Sequence, residues 1–285
     1  MAADIIIFGT IWGAIYTILA LGFTLIFGVA RILNLAYGAM YLVASYLIYS
    51  LVSGLNLAAI PAWFIAIAAT CLMGMALYRV FIFPLRDSLG RVLIVTAGIA
   101  ILLQEVAVLA YSTEPRYVPT AISGSFAIMH VRVTYQQLVT IVVAIVLVFA
   151  LHEFLVRSRL GRELRAVAQD TEMAALMGIS VERVYLFAMV ISTGLAAAAG
   201  ALVAPFLTVS PDMGWSPLLV AFTIVVLGGL GSLWGTIIAA FIVAYAEMLT
   251  AFLISPQLRD AVTFAIMIAT LTVRPHGLFG KGIVE

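Results

Sequence analysis

Long apolar stretches alternate along this chain with short polar ones. Apolar runs occupy residues 5–28, 35–51, 57–78, 92–111, 138–151, 184–207, 218–227, 236–254 and 261–273. About 20 apolar residues in a helix cross a hydrocarbon layer, and only helices or closed barrels satisfy every backbone polar group there. The runs lack the period-two alternation of barrel strands. The pattern therefore predicts an all-α, polytopic helical membrane protein with eight or nine membrane segments. Two runs, 218–227 and 261–273, are shorter than a full span. The first follows Pro211 and Pro217 and leads into Gly228, Gly229 and Gly231, which predicts a broken or re-entrant helix. Irregular backbone at membrane depth is tolerated where it is buried in protein or lines a wet cavity, so the break points to a translocation path.

Composition agrees: with 65% hydrophobic and 9% charged residues, 285 residues cannot hide this surface in a soluble domain. The whole chain, 1–285, reads as one transmembrane domain. Its first apolar run has no basic segment before it and is expected to be a retained span, not a cleaved signal. Cys71 has no second cysteine to pair with, which excludes an intrachain disulfide and a cysteine metal cluster; packing is its expected role. A net charge of +1 gives no reason to expect nucleic acid as a partner.

Basic residues gather at Arg31, at Arg79, Arg86 and Arg91, at Arg157, Arg159, Arg162, Arg165 and Arg183, and at Arg274 and Lys281. The intervening connections carry only Arg116, Arg132 and Arg259. By the positive-inside rule the first set is cytoplasmic. This predicts nine crossings of the cell (inner) membrane, with an external N-terminus and a cytoplasmic C-terminus.

Reactive chemistry is sparse. His130, His152 and His276 are far apart, and His152-Glu153 lacks the second histidine of a zincin. Gly280-Lys281 is followed by Gly282, not by the Ser or Thr of a phosphate loop. The chain is expected to be neither an enzyme nor able to power itself with ATP. Two carboxylates stand within apolar runs, Glu105 and Glu247. At a helix centre each costs about 2.5–3.5 kcal/mol, so each should find a cavity, a partner or the interface. Proton coupling and a hydrogen-bonded structural role are both open for them, and Glu105 could also reach external water. Gln104 lies on a different helix face from Glu105. Small residues at packing spacing, Gly9 and Gly13, Ala196 and Gly200, and Gly231 and Gly235, predict close helix approach.

The polar island between residues 151 and 184 holds five of the fourteen basic residues. Residues 161–170 read as an amphipathic helix with Leu164, Val167 and Ala168 on one face. Asp170 or Thr171 can cap a second helix over 172–177, which Gly178 would end. The resulting knob, within a cytoplasmic loop at about 152–183, carries apolar Ala174, Ala175, Leu176 and Met177. Water would not select that surface. A protein partner or the bilayer surface would.

Gly161-Arg162, Arg165-Ala166, Asp170, Ala174 and Leu176-Met177-Gly178-Ile179 resemble the coupling loop of branched-chain amino acid ABC importer permeases of the LivH type. Further similar stretches are Leu25 to Gly38, Val226 to Ser232, Ala246-Glu247, and Arg274 to Gly280. The resemblance implies a bundle of about eight spanning helices, some broken, around a shared path. It implies as partners a second homologous permease (LivM-type) or a second copy, two ATPase subunits (LivG/LivF-type) that bind ATP and Mg, and an extracytoplasmic binding protein. Arg162, Arg165, Asp170, Ala174, Leu176, Met177 and Gly178 would then couple to the ATPase. Where the family usually has histidine after Asn-x-Ala, this chain has Tyr37, so the substrate stays open among leucine-like amino acids, urea, short amides and aromatic acids. Asn34 and Tyr37, with Gln104, Glu105 and Glu247, are the candidate path residues; a capping role at the membrane surface is the other reading of Asn34. The alternative function is a proton-coupled secondary transporter using Glu105 or Glu247.

Overall fold

The computed structural model describes residues 2–120, 122, 124–128, 131–274 and 277–279. His130, His276 and Lys281 lie outside the described residues.

Each of the nine apolar runs is a helix. Six are long enough to cross a membrane: α1 (Ala2–Ala30), α3 (Ala59–Leu77, continued through Leu85), α4 (Leu89–Tyr111), α5 (Tyr135–Arg157), α8 (Val181–Val203) and α10 (Leu233–Leu253). Three are shorter: α2 (Tyr37–Tyr49), α9 (Trp215–Gly228) and α11 (Arg259–Val273). The polar island supplies α6 (Arg159–Gln169) and α7 (Thr171–Leu176), and β1 (Ser125–Ile128) pairs antiparallel with β2 (Val131–Thr134) in the connection before α5. That hairpin is a local addition to an otherwise helical protein. Thr134 then starts α5 with a capping box: its hydroxyl accepts from Gln137 N, and Gln137 Oε1 accepts from Thr134 N.

Burial sorts the spans into centre and rim. In α1 and α8, 67% and 72% of the spanning window is buried, against 22% in α4 and in α5. The central helices approach through small residues, as the spacing predicts. Gly9 and Gly13 lie against the rings of Tyr245 and Phe241, so that a methyl at either position would overlap α10. Gly200 faces the Tyr41 carbonyl, and Gly235 faces the Gly228 backbone. Cys71 sits half-buried in α3, its thiol 3.6 Å from the Val190 carbonyl, in the packing role expected of it.

The Gly228–Ser232 cluster is a turn, not the helix break. Gly229 and Gly231 adopt φ of 97° and 85°, which lets the chain reverse between α9 and α10. The tail closes this turn: Leu278 N and Phe279 N donate to the carbonyls of Leu227 and Gly228, at 2.7 and 3.2 Å, and satisfy the free end of α9.

Candidate translocation path and coupling knob

The site begins where α1 stops. Arg31 takes φ of 53° and turns the chain back, and residues 32–36 then run without helical structure through protein interior, with Asn34 and Ala36 fully buried. Asn34 Oδ1 accepts from Ala36 N at 3.0 Å and the Asn34 carbonyl accepts from Tyr37 N at 3.2 Å, which starts α2. The new helix begins deep inside: Tyr37 donates its hydroxyl to Leu19 O at 2.6 Å, and its ring meets Phe23 edge-on. Leu19 stands about three turns before the end of α1, or about 16 Å along it, roughly half the hydrocarbon thickness.

A second half-helix starts at the same level. After α8 the chain passes Val209, which pairs with Arg116, and returns inward to Gly214, whose backbone lies against Gly38. A Cβ on either glycine would collide with the carbonyl oxygen of the other, so only two glycines permit the approach. The N-terminal ends of α2 and α9 thus meet at mid-depth and the helices run apart, α2 toward Tyr111 and α9 toward the tail. The break anticipated near the 218–227 run lies just before it, over residues 204–214. Between the two ends is a cleft of about 10 Å³, lined by Leu35, Gly38, Gln104, Pro211 and Trp215 among others. That is the space of a single water, so the cleft is shut within this chain.

Polar side chains line the outer surface at this level. Trp215 Nε1 donates to Gln104 Oε1 at 2.6 Å, tying α9 to α4, and Ser216 Oγ donates to Asp260 Oδ1 at 3.3 Å, tying α9 to α11. Glu105 is exposed beside Gln104, and among the described residues it has no hydrogen-bond or ion-pair partner. The strip Gln104, Trp215, Ser216, Asp260 is an unfavourable face to offer lipid, and Glu105 adds an exposed carboxylate one helix face away, in the row of exposed Ile101, Leu102 and Leu109. Sequence reading found Gln104 of the four strip residues. Trp215, Ser216 and Asp260 sit at helix starts in stretches read as external loops, and only the return of the chain to mid-depth brings them here.

Glu247 occupies the opposite kind of environment. It is 1% exposed; Oε2 accepts from the Tyr16 hydroxyl at 2.7 Å and pairs with Arg259 Nη2 at 3.1 Å, while Oε1 accepts from Thr263 Oγ1 at 2.5 Å. Arg259 also lies over the Trp12 ring, 4.9 Å from its centroid. Arg259 was expected in an external connection; it is drawn inward because an unpaired carboxylate in α10 would be costly. Asn34 and Tyr37 are likewise buried, with Asn34 Nδ2 directed at the Met189 sulfur, 3.6 Å away. Of the five residues expected to line a path, Gln104 reaches the surface strip, Glu105 is exposed on the neighbouring face of α4, and Asn34, Tyr37 and Glu247 face protein.

The knob forms much as its sequence predicts. Ser158 caps α6 by accepting from Gly161 N at 2.8 Å, and Gly161 has no room for a Cβ against the Phe154 carbonyl, which fixes the sharp α5–α6 bend. Leu164 and Val167 pack inward, as expected of that face. Asp170 Oδ1 accepts from Glu172 N and Met173 N, both at 2.9 Å, and starts α7. At its end Gly178 takes φ of 82°, with Gly178 N donating to Ala175 O and Ile179 N to Ala174 O, the pattern of a Schellman cap. Arg162 and Arg165 donate to the carbonyls of Arg157 and Val156, at 2.9 and 3.3 Å. One detail differs from expectation: Ala174 is 5% exposed and faces the bundle, while Met173, missed by sequence reading, joins Leu176 and Met177 on the outer tip. Leu176 and Met177 are each 81% exposed.

A helical bundle with half-helices meeting at mid-depth and an apolar knob on one end has the build of a membrane permease. Residues 5–271 match the family described as the permease component of branched-chain amino acid transport systems. The chain is 32% identical to the high-affinity branched-chain amino acid transport permease LivH of Escherichia coli K12, over 97% of this chain and 95% of that one. It is 31% identical to BraD of Pseudomonas aeruginosa over 96% and 94%, and 25% identical to a probable LivH of Methanocaldococcus jannaschii over 95% and 90%. In fold it is similar to PsaBC from Streptococcus pneumoniae, solved in complex with Fab, with a TM-score of 0.55 at 15% identity over 97% of each chain. This chain belongs to the branched-chain amino acid transport permease family and is a multi-pass membrane protein.

Proposed function

We propose that this chain is the permease subunit of an ATP-binding cassette importer for branched-chain amino acids or a related small amphipathic solute. The observation that carries the proposal is the knob, a rigid, doubly capped helix pair presenting Met173, Leu176 and Met177 where a solvent-facing loop would be polar. Two LivG/LivF-type ATPase subunits dock on such knobs and bind the ATP and Mg; a LivM-type permease or a second copy of this chain pairs across the path; an external binding protein delivers the solute. The knob end is cytoplasmic, with the C-terminus on the same side and the N-terminus external.

Transport proceeds by alternating access. Closure of the ATPase pair on ATP moves the knobs, α5 and α8 carry the motion inward, and the shut cleft between α2 and α9 opens to one side and then the other. Substrate affinity must differ between the two states, because a ligand bound equally by both shifts nothing. The strip of Gln104, Trp215, Ser216 and Asp260 lines the path, with Glu105 exposed on the adjoining face of α4, and the two carboxylates serve an ammonium group. Asn34, Tyr37 and Glu247 hold the helices that frame it.

The test is co-purification from native membranes in mild detergent, with solute uptake measured in parallel. ATPase subunits should accompany the unaltered chain, and Met177→Asp should release them and abolish uptake while the permease stays monodisperse. Recovery of no ATPase with the unaltered chain, even after crosslinking, would refute the proposal.

A further inference from the structure

A groove of about 590 Å³ lies between α1, α5 and α10. Its walls are almost wholly apolar, including Leu21, Ile145, Val148, Phe149, Ile237 and Phe241. Ile145 and Phe149 are 63% and 64% exposed, so the groove opens outward along the spanning part of the bundle. It follows α5 from Ile141 to Glu153, about 18 Å at 1.5 Å per residue and close to the ~15 Å of one leaflet's hydrocarbon.

Its mouth is at the knob end and is polar. His152 and Trp234 face each other there, ring centroids 6.0 Å apart, at the level where amphipathic rings mark a membrane interface. Glu153 lines the mouth but is neutralised by Arg157 at 2.7 Å, and Glu163 by Arg159 at 3.2 Å. Arg162 and Arg165 reach back onto the last turn of α5 with only carbonyl partners among the described residues, which leaves two positive charges without carboxylates about one turn beyond His152 and Glu153.

We infer that this groove is a binding site for an anionic phospholipid of the leaflet on the knob side. One acyl chain lies along α5 between α1 and α10, and the phosphate sits between Arg162 and Arg165 with His152 and Trp234 at the glycerol level. The length of the groove selects a single leaflet's chain. The surplus of arginine selects an anionic headgroup over a zwitterionic one. Such a lipid would bridge the spanning helices to the knob, so its occupancy would tune coupling.

The test uses the full chain with its natural partners, stripped of lipid and returned to palmitoyl-oleoyl phosphatidylglycerol or phosphatidylcholine, with retained lipid read by native mass spectrometry. Phosphatidylglycerol should be retained about tenfold better. Ile145→Trp, which fills the groove, should lower retention of both lipids several-fold. Arg162→Gln with Arg165→Gln should erase the headgroup preference and leave phosphatidylcholine retention as it was. Should Ile145→Trp not stay monodisperse, Phe149→Trp on the same open wall carries the test. Equal retention by the unaltered and filled chains would overturn the inference. So would crosslinking of an Ile145→Cys chain to a second permease polypeptide, which would mean that protein covers the groove.

Discussion

Glu105 and Glu247 are the same side chain in similarly apolar helices, and the molecule treats them in opposite ways. Glu247 is sealed within α1, α10 and α11, with both oxygens engaged by Tyr16, Arg259 and Thr263. Glu105 lies exposed on α4, on the face of exposed Ile101, Leu102 and Leu109 and next to the one that carries Gln104. A carboxylate with saturated partners holds helices together; one left open at membrane depth is available to water or solute. The family match carries the importer reading over the proton-coupled alternative, and Glu247, one of the two carboxylates named for that alternative, is held in place by an arginine.

This contrast can be broken or sharpened experimentally, starting with the largest effect. Glu247→Ala should destabilise the permease by about 3 kcal/mol, because Arg259 is left mostly buried without its counter-charge; a thermal melt in detergent reads this directly. Adding Arg259→Leu to Glu247→Leu should recover most of that loss, since a well-packed apolar pair can replace a buried ion pair. No recovery would mean the cluster does more than join helices. Glu105→Gln should shift stability by no more than about 0.5 kcal/mol, as an exposed position does, yet reduce uptake several-fold. If instead its melt falls and uptake survives, the two carboxylates are not different in kind. Last, Trp215→Phe removes the bond to Gln104 and should cost about 1 kcal/mol, with a higher KM for uptake and an unchanged yield of assembled transporter.

The membrane segments were legible because hydrocarbon imposes a simple rule on each run separately. The knob was legible for a related reason: Asp170, Gly178 and the Leu164–Val167 spacing act locally, through caps and one amphipathic face. Path residues were only partly so. Asn34 was singled out as a path residue, with capping as its other reading, and its amide oxygen is engaged by Ala36 N at the start of α2. Trp215 and Asp260 gave no signal, since their neighbours Pro211, Pro217 and Pro256 read as connections. The inward Ala174 and outward Met173 exchange depends on the rotation of a helix less than two turns long, which spacing alone cannot set.

The sequence by itself determined that this chain spans a membrane as helices, that one polar elbow forms a capped knob, and that it belongs among the branched-chain amino acid permeases. Those properties follow from local hydropathy, caps and short motifs. Only the tertiary structure decided that α2 and α9 start at mid-depth against each other, that Glu247 is locked while Glu105 is open, and that an apolar groove runs beside α5. Each depends on which distant segments meet, and such meetings are chosen by whole-surface packing of helices such as Gly38 on Gly214 and Gly9 on Tyr245.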